Sequence, residues 1–240
     1  MITREALLIR GKAKEVYETS DPHVLWVHNL NQATALNGKQ KEEISDKGHY
    51  TNAISALLFG YINQKGIPNH FIEQIDECDQ LIQALTMFKL EIVTRHYAAG
   101  SFAKKFDIEP MSRLVPTVQE LYYKSDPLDD PMLNSSQAMA LGLVTDTELV
   151  RMNDLALQTN AYLRVLFDRV GITLVDSKLE FGKNKQGEII LADELSPDNM
   201  RLIDQATGAS LDKDVFRKGT GDLRVGYATI LERLQAELGE

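Results

Sequence analysis

Asp176, Lys178 and Glu180 alternate with Val175, Ser177, Leu179 and Phe181 in the run VDSKLEF. In a strand, a period of two puts the charged residues on one face and the remaining members on the other. Residues 183–187 are polar, end in glycine and predict a hairpin turn. A returning strand over residues 189–193 then delivers Asp193 and Glu194 at its end, so that Glu180 and Asp193 can meet at one sheet edge. Magnesium takes oxygen ligands, usually one or two carboxylates, with water and substrate phosphates completing its shell. Acidic residues on an open strand face are ordinarily just solvated. The second acidic pair, the lysine between the carboxylates and the Pro197–Asp198 turn leading to Arg201 favour a metal–phosphate site instead.

Other cations stand in turns. The run RGKAK places Lys12 and Lys14 around Gly11, where they could hold nucleotide phosphates beneath a hairpin. With one glycine it is not a P-loop, and a basic hairpin tip needs no ligand. The run RHYAAGS offers Arg95, backbone amides near Gly100 and the Ser101 hydroxyl at a helix start. Helix N-termini bind anions through free amides and the helix dipole, and arginine adds a planar fork that matches phosphate. Equally, Ser101 could merely cap the helix while Arg95 pairs with an acid. Lys124, Asp126, Asp129 and Asp130 share a loop with two prolines, and Asp212, Lys213, Asp214 and Arg217 precede the last helix. Taken alone, these read as solvated charge and helix caps. His96 reads as a polar loop residue.

These residues need elements to hold them. Residues 7–9, 15–17 and 24–27 predict a small antiparallel sheet, followed by a loop over residues 31–39. Ile54, Leu57, Leu58, Tyr61 and Ile62 recur at helical spacing, with Gly66 as the stop. Strands are predicted at residues 70–72, 88–93 and 118–123, and a short helix at 102–106. Thr145 and Glu148 form a capping-box pattern ahead of a long apolar-striped helix that ends at Gly171. A last helix runs from about residue 222. A lobe boundary is expected at residues 83–87, where a polar helix gives way to the Phe88 strand. That divides the chain into 1–85, a β-rich nucleotide lobe, and 86–240, an α+β lobe for substrate and metal.

Composition sets limits. The 240 residues are 43% apolar and 25% charged, enough for a substantial core. Cys78 is the single cysteine, so no disulfide framework exists within the chain, and the five histidines show no paired metal-ligand spacing. The opening residues are charged from Arg4 and lack a signal peptide's apolar run, and no stretch approaches the length of a membrane helix. A net charge of −9 argues against a nucleic-acid partner while allowing a small anion held by local cations. A soluble, cytoplasmic protein with neither a nucleic-acid nor a membrane partner is expected.

Taken in order, RGKAKEVY, ATALNGKQ, ISDKG, IPNHFIE, EIVTRHYAAGSF, ELYYKSDPLDDPMLN, LVDSKLEFG, LADELSPDNMRLID and LDKDVFR resemble the motif series of the SAICAR synthetase family, over residues 8–217. The resemblance implies an ATP- and Mg2+-dependent carbon–nitrogen ligase of purine biosynthesis. Such an enzyme joins L-aspartate to the carboxylate of carboxyaminoimidazole ribonucleotide, giving SAICAR, ADP and phosphate. It also implies an α+β, two-lobed fold, with an N-terminal antiparallel sheet lobe over a larger lobe and ATP in the cleft. A homodimer is left open.

On matching positions, the resemblance gives ATP phosphates to Gly11, Lys12 and Lys14, and magnesium to Glu180 and Asp193. It gives the ribotide to Arg95, Ser101, Asp198 and Arg201, and the reaction centre to Lys124, Asp130, Lys178 and Asp212. The chain departs from the family pattern at Leu36, Asn37, His96, Ser177 and Ile203. Two other classes can be weighed against it. A small-molecule or protein kinase would use similar lysines and carboxylates, but the H-R-D and D-F-G motifs are absent. A catalytically silent nucleotide-binding module should have lost the metal carboxylates, yet Glu180 and Asp193 are both present.

Overall fold

The opening alternation produces a meander of β1 (Arg4–Arg10), β2 (Lys14–Thr19) and β3 (Val24–Asn29), in a computed structural model that describes residues 2–35 and 40–239. The turn closes through a hydrogen bond from the Gly11 N–H to the Lys14 carbonyl, at 2.8 Å. Lys12 therefore lies in the turn, and only Lys14 stands on the strand.

Composition predicts a loop next. Instead, β4 (Gln32–Ala35) pairs with β5 (Gln40–Glu43) as a two-stranded ribbon. Ala33 and Thr34 are buried there, which their small polar neighbours in the sequence do not announce. Leu36 and Asn37 lie outside the described residues.

Helix α1 (Lys47–Gln64) buries Ile54, Leu58 and Ile62 completely, as their spacing requires. It is followed by β6 (Phe71–Gln74) and β7 (Asp79–Gln83), which complete a five-stranded sheet of order β1-β2-β3-β7-β6. Strand β7 stands where a polar helix was expected. Its Asp79 is buried because distant groups satisfy it: His28 contacts the carboxylate at 2.7 Å, and the Asn52 amide donates to the Asp79 carbonyl at 3.3 Å. No local pattern signals such partners.

The second sheet begins with β8 (Thr86–Tyr97). After α2 (Gly100–Phe106) come β9 (Arg113–Tyr123), β10 (Met132–Leu133), α3 (Ser135–Ala140) and α4 (Asp146–Arg169). The predicted capping box is present at Thr145 and Glu148. Strand β11 (Ile172–Lys183) is the centre of this sheet and pairs with β8 along most of its length. Its other edge is shared between two partners. The first half pairs with β13 (Met200–Asp204) and the second with β12 (Ile189–Ala192). Between these partners the chain leaves the sheet, and residues 193–199 form a turn beside Lys178.

A short helix α5 (Asp214–Lys218) and a longer closing helix α6 (Leu223–Leu238) follow. Helix α6 lies so close to the preceding loop that a Cβ at Gly226 would stand 2.5 Å from the Leu211 carbonyl oxygen. One apolar core runs from α1 through Leu90 and Ile92 of β8 to Leu155, Leu163 and Phe167 of α4. Burial of each such side chain contributes about 1.5–3 kcal/mol. The architecture is the expected α+β class, two large antiparallel sheets and a two-stranded ribbon joined by a shared core.

Candidate functional site

The charged face of β11 is buried. Lys178 Nζ lies 2.5 Å from Glu180 Oε1 and 2.7 Å from Asp193 Oδ2. The other Asp193 oxygen pairs with Lys14 and the other Glu180 oxygen with Lys124. Three lysines from β2, the loop after β9 and β11 thus interleave with two carboxylates. The reading of a solvated strand face fails here, since the Glu180 side chain is only 2% exposed. Burial alone would raise the Asp193 carboxyl, but Lys14 and Lys178 hold it well below the ordinary carboxylate range. Burial would likewise lower Lys178, and Asp193, Glu180 and Glu91 outweigh it to keep the ammonium charged. Asp193 also adopts a left-handed backbone, φ 65°, which non-glycine residues enter at a cost. That turn aims its carboxylate back at the lysines.

A second cluster lies where β11 pairs with β8 and β13. Arg95 is buried, with Nε 2.6 Å from Glu120 and Nη1 2.7 Å from Asp176. Arg201 reaches the same Asp176 oxygen at 2.7 Å and Asp214 at 3.2 Å. Arg95 thus pairs with acids, as one of the two sequence readings had it. Ser101 is exposed on the first turn of α2 and does not cap it; the cap position is Ala99, without a side-chain bond. Gly100 has φ 53°, and a Cβ there would fall 2.6 Å from Arg201 Nη2. The absent side chain is what lets this guanidinium lie against the helix N-terminus.

A third group forms around Asp198. Lys47 Nζ is 2.7 Å from Oδ2, Lys213 Nζ is 3.5 Å from the same oxygen, and the Tyr227 hydroxyl donates to Oδ1 at 2.5 Å. Burial would raise this carboxyl, yet Lys47 and Lys213 draw it far below its usual range. Lys47, Tyr227, Glu91, Glu120 and Asp176 received no role from the sequence. A lysine directly before an apolar helix, in ISDKG, was the signal available for Lys47.

Other expected residues stand at the margin. Lys12 pairs with Asp126 at 2.7 Å, tying the first hairpin to the loop after β9. The Asp130 carboxylate accepts from the Ser125 N–H at 2.7 Å and so shapes that loop. Asp212, expected at the reaction centre, braces the backbone. It is buried, and it accepts from the Leu202 and Asp214 amides at 2.8 and 2.7 Å. Burial pushes its carboxyl up against those bonds. Ser177, a departure from the family pattern, faces α4 and donates to Asn160 Oδ1 at 2.8 Å. His96 lies beside Thr117, with burial lowering its pKa.

The Glu180 and Asp193 oxygens already close around one cation, the Lys178 ammonium, and no sulfur or imidazole ligand accompanies them in that contact set. Among the described residues no group of three or more acidic, histidine or cysteine side chains could enclose a metal. Carboxylate oxygens as the donor set suit a hard cation that completes its coordination with water and phosphate.

Residues 7–234 match the family model for SAICAR synthetase. The phosphoribosylaminoimidazole-succinocarboxamide synthase of Oenococcus oeni is 50% identical over 234 residues, covering 98% of this chain and 97% of that relative. That of Lacticaseibacillus paracasei is 49% identical with the same coverage. Among solved structures, the Ehrlichia chaffeensis synthase superposes with a TM-score of 0.94 at 38% identity, covering 96% of this chain and 99% of that one. A SAICAR synthetase in complex with ADP gives 0.92 at 39% identity, covering 95% and 97%.

Proposed function

The chain belongs to the SAICAR synthetase family, and from that premise we propose how its three charged clusters divide an ATP-dependent ligation. The reaction joins the amine of L-aspartate to the carboxylate of carboxyaminoimidazole ribonucleotide, releasing ADP and phosphate. A carboxylate is a poor electrophile, so it needs a leaving group before an amine can attack. Transfer of the ATP γ-phosphoryl group to a carboxylate oxygen supplies one, as an acyl phosphate.

Lys14 and Lys178 meet the triphosphate, with Lys12 at the mouth of the hairpin. Lys178 and Lys124 face the oxygens between which the phosphoryl group moves, where fixed cations stabilise the charge that develops. Glu180 and Asp193 would hold Mg2+, which when bound neutralises phosphate oxygens and fixes their geometry. Arg201 and Ser101, at the start of α2, receive the ribotide phosphate. Arg95 lies behind them, orienting Arg201 through Asp176. Asp198 faces the ribotide from the turn after β12.

The observation that carries this reading is continuity. Residues 193–201 run without a break from the lysine–carboxylate cluster through Asp198 to Arg201, so nucleotide and ribotide sites share one wall. The same lysines would serve a kinase-like phosphotransferase, but the family assignment does not favour it. The deciding assay supplies ATP and the carboxylated ribotide with and without aspartate. Aspartate-dependent ADP release is expected, with ¹⁸O from the substrate carboxylate appearing in inorganic phosphate. Unlabelled phosphate during aspartate-dependent turnover would remove the acyl phosphate from the scheme.

A further inference from the structure

Two lysines share one carboxylate oxygen. Lys47 and Lys213 both approach Asp198 Oδ2, at 2.7 and 3.5 Å, while Tyr227 occupies the other oxygen. One negative charge therefore faces two ammonium groups, and Lys47 holds the nearer place. Lys12, Lys14, Lys124 and Lys178 each have a carboxylate oxygen at 2.7 Å or closer. Lys213 has none so near.

It is also taken out of water, with its side chain 10% exposed. Its remaining charged surroundings are Glu194 from the same turn as Asp198, and Arg217 one turn along α5. Its chain neighbours Asp212 and Asp214 spend their carboxylates elsewhere, on backbone amides and on Arg201 with Arg217. A desolvated lysine beside a second cation is the setting in which an amine works uncharged near neutral pH.

Position adds to this. Glu194 lies 3.8 Å from Lys14, and Asp198 belongs to the ribotide wall, so Lys213 stands between the triphosphate cluster and the ribotide. An acyl phosphate formed there needs an uncharged amine, and aspartate arrives as an ammonium ion.

We infer that Lys213 is the general base that deprotonates the α-ammonium group of aspartate, an inference that rests on the acyl-phosphate reading above. The nitrogen lone pair forms the C–N bond at the acyl carbon, and the C–O bond to phosphate breaks. Of the three ammonium protons, one stays on the amide, one leaves with hydrogen phosphate and one is taken by Lys213 Nζ. Burial lowers the pKa of this lysine against the pull of Asp198, and Lys47 adds to the lowering.

The test replaces aspartate with hydroxylamine, a nucleophile uncharged at neutral pH that needs no base. Lys213→Arg keeps a nitrogen side chain that stays protonated and cannot accept a proton, and Lys213→Met removes the nitrogen. Relative to wild type, both variants should lose about 10²–10⁴-fold in aspartate-dependent turnover, the usual contribution of a positioned base. Hydroxamate formation should stay within a few-fold of wild type. The aspartate deficit should shrink as pH rises and free amine accumulates in solution. Full aspartate turnover with an unshifted pH profile in Lys213→Arg, or equal losses with both nucleophiles, would overturn the inference. No hydroxamate from the wild-type enzyme would instead remove the acyl phosphate beneath it.

Discussion

Asp176 Oδ2 accepts hydrogen bonds from Arg95 and from Arg201 at the same distance, 2.7 Å. One carboxylate oxygen thus couples a guanidinium buried in the sheet to one at the proposed phosphate site. Breaking a buried ion pair costs about 3–5 kcal/mol because a charge is left uncompensated. Glu120 still holds Arg95, so Asp176→Asn should sit at the low end, about 3 kcal/mol. It should also loosen ribotide binding by misplacing Arg201. Denaturant unfolding and calorimetry measure the two effects, and a variant unchanged in both would show that the shared oxygen couples nothing.

Arg201→Ala should weaken the ribotide far more than ATP. A charge-assisted hydrogen bond to phosphate is worth roughly 1.5–3 kcal/mol, or about one to two decades in affinity. Titrating each ligand separately gives the ratio. Equal losses would move Arg201 to the nucleotide site.

Asp193→Asn should abolish turnover while leaving the fold in place. Asparagine tolerates the left-handed backbone that Asp193 adopts, so the substitution isolates the charge. The expected signature is lost metal dependence of nucleotide binding, with a circular dichroism spectrum like that of wild type. Turnover near wild type at limiting magnesium would exclude Asp193 as a metal ligand.

Acid should destabilise the protein well above the carboxylate range. The pKa of His96 is lowered by burial and by Arg164, and that of buried His70 falls to about 3. For a histidine whose folded pKa lies below its unfolded value of about 6.5, the unfolded chain binds the extra proton. Stability is then whole above that pH and declines as pH falls below it. His96→Asn should flatten part of the decline between pH 7 and 5, leaving the share due to His70. Unfolding midpoints at several pH values test this, and an unchanged slope would show that His96 titrates normally.

Ser177→Ala removes the hydroxyl that donates to Asn160 in the buried seam between β11 and α4. An unsatisfied buried acceptor costs about 1–3 kcal/mol. Thermal and denaturant unfolding should show that loss, with ligand affinities unaltered because the side chain points away from the clusters. A loss of affinity without a loss of stability would place Ser177 at the substrate instead.

Local patterns carried the parts of this fold that depend on neighbours in sequence. The alternation around Asp176, the turn after Lys183 and the Thr145–Glu148 box each appeared as the residues predict. Strand β7 did not, because Asp79 looks exposed until His28 and Asn52 are brought to its side of the sheet. The same physics separates what was legible in the site. Glu180 and Asp193 were readable as partners because a hairpin joins them. Lys47 and Tyr227 were not, because their meeting at Asp198 requires α1 and α6 to pack together. The bonds that Asp212 accepts from the Leu202 and Asp214 amides are likewise visible only in the folded chain.

Three ammonium groups stand among Asp193, Glu180, Glu194 and Glu91 in the lysine cluster, in a chain whose net charge is −9. A polyanionic nucleotide therefore travels through a repulsive far field before it meets the lysines at close range. Salt acts on the two ranges unequally, screening the distant field first and buried pairs much less. Moderate ionic strength should thus speed the encounter with ATP even as it loosens the complex once formed. Most oppositely charged partners show the reverse trend in their association rates, so the direction of the salt effect reports which range governs capture.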